Sequence, residues 1–180
     1  ALPDAAWEID SVGNPGNQGQ VSGPKSGSDT QKRVCGSVDY TYRIGKYEVT
    51  TAQYCEFLNA VGKDDIYGLY ISTMAGGKRS PRITRTGEPG EWVYEVAPDY
   101  AKRPVTYVRL DGAIRFCNWL HNGQPEGKQT AETTEDGAYD LRPIHKHYGP
   151  KGRIAPGEDE IAVDNYFKAI KRKEGWKWAL

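Results

Sequence analysis

The sequence predicts an α+β domain dominated by ordered loop, with two to three helices and short antiparallel strands. Three observations lead there. Apolar residues recur at helical spacing in a few short windows, first at Tyr54, Phe57, Leu58 and Val61 and then at Ala113, Phe116, Cys117 and Leu120. Between and before them lie brief apolar–polar alternations with the period of half-buried strands. Turn formers are dense, 21 glycines and 11 prolines in 180 residues, too many for a chain of long regular elements.

Residues 1–37 read as an extended N-terminal arm and residues 38–180 as one domain. In the arm, Trp7 and Ile9 mark an edge strand, and the polar Gly, Asn, Ser and Pro run that follows is loop. Tyr40, Tyr42 and Ile44 then alternate as a strand. Gly45 suggests a bulge, after which Tyr47 and Val49 return to the buried face. Thr50 and Gln53 have capping-box spacing ahead of the first helix, and Gly62 stops it. Residues 63–79 are loop, in which the adjacent Asp64 and Asp65 read as solvated acids. Two strands flank the turn at 87–90, with Arg82 or Arg85 facing Glu91 or Glu95 across an exposed face.

Residues 104–108 read as a further strand, and Asp111 as the cap of the second helix, which ends at Asn122 and Gly123. Residues 124–152 are polar and irregular. A third helix is expected from Pro156, with Glu158, Asp159 and Glu160 in its first turn and Lys168, Lys171, Arg172 and Lys173 at its end, both favourable to the helix dipole. Its stripe is Val163, Tyr166, Phe167 and Ile170, and the alternation of Trp176 and Trp178 suits a final strand.

Basic and acidic residues balance at 24 each, which removes the usual electrostatic reason to expect nucleic acid or an anionic membrane surface as partner. No apolar run approaches the roughly 18 residues of a membrane span. A start at Ala1 and a Tyr-, Trp- and Gly-rich composition favour an extracytoplasmic, secreted or periplasmic protein with its signal peptide removed. Cys35, Cys55 and Cys117 form no CxxC pair, so zinc knuckles and covalent haem lack their ligands. Cys55 and Cys117 read as small buried residues of the two helices, bridged only if those helices pack closely. His145 and His147 would share a face of a strand, but no third ligand is evident and Lys146 would oppose a cation; they read as exposed. Thr133, Glu135 and Asp136 are oxygen-bearing candidates for calcium, without the ligand alternation of an EF-hand.

Three segments together resemble the family of formylglycine-generating enzymes and sulfatase-modifying factors: RIGKYEVTTAQYCEFLNAV at 43–61, RPVTYVRLDGAIRFCNWL at 103–120 and RIAPGEDEIAVDNYFKAI at 153–170. HNGQPEG and TTEDGAYDL resemble a secreted bacterial branch of it. Leu110 and Ile161 stand where tryptophan is usual. The resemblance spans most of residues 38–178 and implies a C-type-lectin-like fold. In the family's active enzymes, two cysteines near the C-terminal end of the domain hold copper, a metal whose Cu(I) state favours thiolates. Cys35, Cys55 and Cys117 match none of those positions, and no cysteine follows Cys117. No catalytic or cofactor-binding residue is therefore expected, and the domain is expected to lack its C-terminal part.

A domain cut short leaves sheet edges and apolar surface to cover. The expected cover is another protein or a second copy of the chain, with Trp7, Trp176 and Trp178 as interface candidates. The function this favours is a non-catalytic, exported binding or structural module, a subunit or accessory of a larger assembly. The alternatives are a copper-dependent oxidase of the formylglycine-generating type whose active part lies elsewhere, and a calcium-dependent lectin-like glycan binder.

Overall fold

The structure, a computed structural model, describes residues 7–22, 33–149, 153–154, 170–175 and 178. Two compact units divide the chain, Pro3–Tyr47 and Glu48–Leu180.

In the first unit, β1 (Ile9–Val12) pairs antiparallel with β4 (Tyr42–Gly45), and β2 (Gln20–Ser22) with β3 (Arg33–Cys35). The N-terminal segment thus holds three strands where mostly loop was expected. β4 pairs with β1 and lies with it in the compact unit that ends at Tyr47. The Lys46 amide donates to the Glu8 carbonyl (2.8 Å), and Lys46 Nζ lies 3.0 Å from Glu8 Oε2. Ile9 stands opposite Gly45 in an unbroken register, so no bulge falls within the ladder. The expected buried face is also absent. Tyr40, Ile44 and Tyr47 are 47%, 51% and 62% exposed. A lone two-stranded ribbon has no second layer to bury such an alternation.

The second unit is built on two helices. α1 (Thr51–Val61) begins with a formed capping box: Thr50 Oγ1 accepts from the Gln53 amide (3.3 Å) and Gln53 Oε1 from the Thr50 amide (2.8 Å). Its apolar stripe is buried as the spacing predicts. Gly62 caps the helix at φ −96°, so it is not there for a left-handed turn. A Cβ at that position would meet the Leu58 carbonyl oxygen at 2.6 Å and the Tyr94 ring at 3.3 Å. β5 (Ile83–Thr86) and β6 (Val93–Val96) form the expected hairpin, and Asn59 of α1 bonds both the amide and the carbonyl of Tyr94. The register sets Thr84 opposite Glu95 and Arg85 opposite Tyr94, so the predicted Arg–Glu cross-strand pair does not form.

α2 (Leu110–His121) packs on α1 through an aromatic cluster of Tyr54, Phe57, Phe116 and Trp119, with ring centroids 5.3–6.0 Å apart. Its buried surface is wider than the predicted stripe and includes Ile114, Arg115, Asn118 and Trp119. Asp111 is not the cap. Arg109 occupies that position without a side-chain cap bond, and Asp111 lies buried in the first turn. Residues 104–108 form no strand. Only an isolated Thr50–Pro104 bridge and the Val105 amide to Val49 carbonyl bond (2.9 Å) remain of that pairing. Tyr107 sits at φ +62°, which an extended strand does not allow.

Beyond α2, residues 130–144 are not a solvated loop. Ala138, Tyr139, Leu141 and Ile144 join Ile114 and Cys117 in a second apolar cluster, against which Ile170 packs. A single π-helical turn, Ala131–Glu135, precedes that cluster, and a 3₁₀ helix, Arg142–His147, contributes Ile144 to it, so His145 and His147 are not on a strand. A two-residue pair, β7 (Tyr148–Gly149) and β8 (Arg153–Ile154), ends the described elements. The third helix expected from Pro156 falls on residues 155–169, outside the described ones, as does Trp176. Among the described residues no helix is long and apolar enough to cross a membrane.

Candidate functional site

The densest polar chemistry lies between α2 and the loops it faces. Arg115 is 1% exposed, as is Glu135. Arg115 Nε and Nη2 donate to Glu135 Oε1 and Oε2 at 2.8 and 2.9 Å, a bidentate pair. Its Nη1 donates to Asp111 Oδ2 at 3.1 Å, and Arg109 donates to both Asp111 oxygens at 3.0 Å. Arg109 Nη2 also donates to the Tyr67 carbonyl at 3.0 Å, and Arg115 lies 4.1 Å from the Tyr67 ring centroid. The chain Arg109–Asp111–Arg115–Glu135 thus runs from the surface into the interior and pins the 65–70 loop on its way. It fastens that loop and residue 135 to α2.

A second anchor holds the same loop from the hairpin side. Asp65, expected to be a solvated acid, is 5% exposed and adopts φ +44°. Its carboxylate accepts from the Leu69 amide (2.6 Å), the Tyr70 amide (3.3 Å) and Arg85 Nη1 (3.3 Å). Arg85 lies 4.7 and 4.4 Å from the Tyr70 and Trp92 ring centroids. Burial pushes the Asp65 carboxyl up to about 6, against the opposing pull of the two amides and of Arg85 and Arg109. Tyr54 donates its hydroxyl to the Leu69 carbonyl (3.1 Å), and burial raises that phenol.

The calcium candidates have protein partners. Glu135 is held by Arg115 and by the Thr134 hydroxyl (2.7 Å). Thr133 Oγ1 bonds the Lys128 carbonyl at 2.6 Å and the Thr130 amide at 2.8 Å. Asp136 contacts Lys173 and lies 3.2 Å from Arg142. Among the described residues no three His, Cys, Asp or Glu side chains are grouped as metal ligands. Of the interface candidates, Trp7 and Trp178 are half-buried.

Sequence reasoning missed Asp65, Arg115 and Asn118. Asn118 is fully buried and serves the 130–140 segment from both ends of its amide, to the Thr134 and Tyr139 carbonyls and from the Tyr139 amide. The available signal was spacing: Asp111, Arg115, Asn118 and Asn122 form a polar stripe on one helical face. A recess of about 150 Å³ is lined by Glu56, Asn59 and Ala60 of α1, Trp119 of α2, and Gln124 and Glu126 beyond it. Its Asn59 amide and Trp119 indole already bond Tyr94 and the Pro125 carbonyl.

A loop-rich α+β domain whose loops are fastened to two helices by buried polar groups is the class this geometry defines. The sulfatase-modifying factor enzyme 1-like domain matches residues 23–148, and the chain belongs to that family, with its C-type-lectin-like fold. No curated protein and no solved structure matches the chain. The match includes residues 23–37, which the sequence reading had assigned to the arm.

Copper, which that family's active enzymes use, does not fit the described thiols. Cys55 and Cys117 are free and buried. Burial pushes their thiols up to about 11 and about 12, which opposes the thiolate form that copper binds. Cys117 is also walled in by the Ile114–Ile144 apolar cluster.

Proposed function

We propose that this stretch of polypeptide is a non-catalytic binding or structural module, part of an exported protein assembly. The observation that carries this reading is the packing of the two helix thiols, both buried and Cys117 inside an apolar cluster. Further support comes from the interior carboxylates of Asp65, Asp111 and Glu135, each neutralised by an arginine and engaged in fastening loops. Exposed Tyr40, Ile44, Tyr47, Tyr107 and Leu110 supply the aromatic and apolar area from which interfaces are made. Trp7, Trp176 and Trp178 are proposed to add to it. The partner is another protein or a second copy of the chain.

The module works without calcium on this reading, because Arg115, Arg142 and Lys173 already neutralise Glu135 and Asp136. Residence outside the cytoplasm is part of the proposal and rests on composition. Light scattering on the protein from its native source tests the assembly directly. A mass above that of one chain is expected, and a compact monomer contradicts it.

A further inference from the structure

Two short segments bring an unneutralised positive charge to one place on the second unit. Residues 78–82 carry Lys78, Arg79 and Arg82, and residues 99–103 carry Lys102 and Arg103, against the single carboxylate of Asp99. The Ala97 amide donates to the Arg82 carbonyl (3.1 Å), and the Thr106 hydroxyl to the Arg79 carbonyl (2.7 Å), which ties the segments side by side. Arg103 and Arg82 share one aromatic ring, their Cζ atoms 4.2 and 5.7 Å from the Tyr100 centroid. None of the five cations makes an ion pair among the described residues, in contrast to Arg85, Arg109 and Arg115.

The Tyr100 contacts hold the two guanidinium groups in place but neutralise neither charge. The Arg103 carbonyl accepts from the Thr51 amide (2.8 Å) and the Ala101 carbonyl from the Ala52 amide (3.0 Å), so the segment rides on the N-terminus of α1. That helix has no acidic residue in its first turn. Cations beside the positive end of a helix dipole are unfavourable. An anion docked beside them offsets that cost. Arg103 spends its Nε–H on the Asp99 carbonyl (3.1 Å), which leaves its two terminal nitrogens, with those of Arg82, for a planar carboxylate of the kind arginine binds bidentately. The patch is compact and the whole chain carries no net charge, so it lacks the long basic track that a nucleic acid or sulfated polysaccharide follows.

We propose that the Arg82–Tyr100–Arg103 cluster is the docking site for a short acidic peptide segment of a partner protein. This inference rests on the binding-module reading and names the chemistry of its partner. Fluorescence anisotropy with a labelled hexaglutamate peptide and the full chain, at low ionic strength, tests it. Saturable binding is expected, weakened by added salt and at least about tenfold weaker in Arg82→Gln/Arg103→Gln. Lys63→Gln/Lys171→Gln, an equal charge loss elsewhere, should leave it unchanged. Arg103→Lys, which keeps charge but loses the fork, should fall between. Absence of binding to the folded wild type, equal loss in both double variants, or tighter binding of a sulfated oligosaccharide of the same charge overturns the site. A chain that assembles but ignores hexaglutamate removes only the docking site. One that binds the peptide yet is a copper-loaded monomer removes only the module reading.

Discussion

Arg115 is the residue on which most of the interior depends. It faces two carboxylates and an aromatic ring while almost fully excluded from water. Removing one member of such a group strands the others in a medium that cannot solvate them. Arg115→Ala is predicted to cost about 3–5 kcal/mol in urea denaturation. Asp65 makes a prediction of opposite character. Its native carboxyl titrates near 6, above the ordinary aspartate value of 3.8. Between those values the folded state binds the proton more tightly, so stability is highest below the lower value and is lost as pH rises through the higher. The loss is roughly 2–3 kcal/mol. Asp65→Asn should flatten that limb when unfolding is compared at pH 4 and pH 7. A change in stability from pH 4 to pH 7 that is the same in wild type and Asp65→Asn would contradict the burial argument.

At the scale of elements, α1 was legible and α2 only half so. Thr50, Gln53 and the Tyr54–Val61 stripe are local signals, and local hydrogen bonds and one buried face satisfy them. Thr50→Ala should destabilise by about 1 kcal/mol, read from the denaturation midpoint. Gly62→Ala, which forces a Cβ against the Leu58 carbonyl, should cost about 1–3 kcal/mol despite an ordinary φ. α2 misleads because apolar spacing selects only one of its two buried stripes. The other, polar stripe faces segment 130–140, whose backbone Asn118 and Asn122 hold by three amide-to-carbonyl bonds at 2.8–2.9 Å and one at 3.1 Å. A loop with few apolar residues of its own is ordered by a helix many residues away, and no local periodicity records that. Residues 104–108 err in the other direction. Their alternation is real, but the left-handed Tyr107 breaks the extended geometry that a ladder requires.

For the whole molecule, family and fold class were legible because segments 43–61 and 103–120 carry long ordered motifs, and both fall within the matched span. The role of the acidic residues was not legible, since ligation and ion pairing use the same side chains and only the geometry tells them apart. Differential scanning calorimetry should show no change in melting temperature between excess calcium and chelator; a rise of several degrees with calcium would assign Glu135 and Asp136 to a metal after all. The central claim is that this scaffold holds its described thiols as core atoms rather than as metal ligands. The direct measurement is anaerobic titration of the full chain with Cu(I) against a competing chelator, following the thiolate-to-copper absorption. No band that depends on Cys55 or Cys117 is predicted. One equivalent of copper, with a band abolished by Cys55→Ser or Cys117→Ser, would contradict the account.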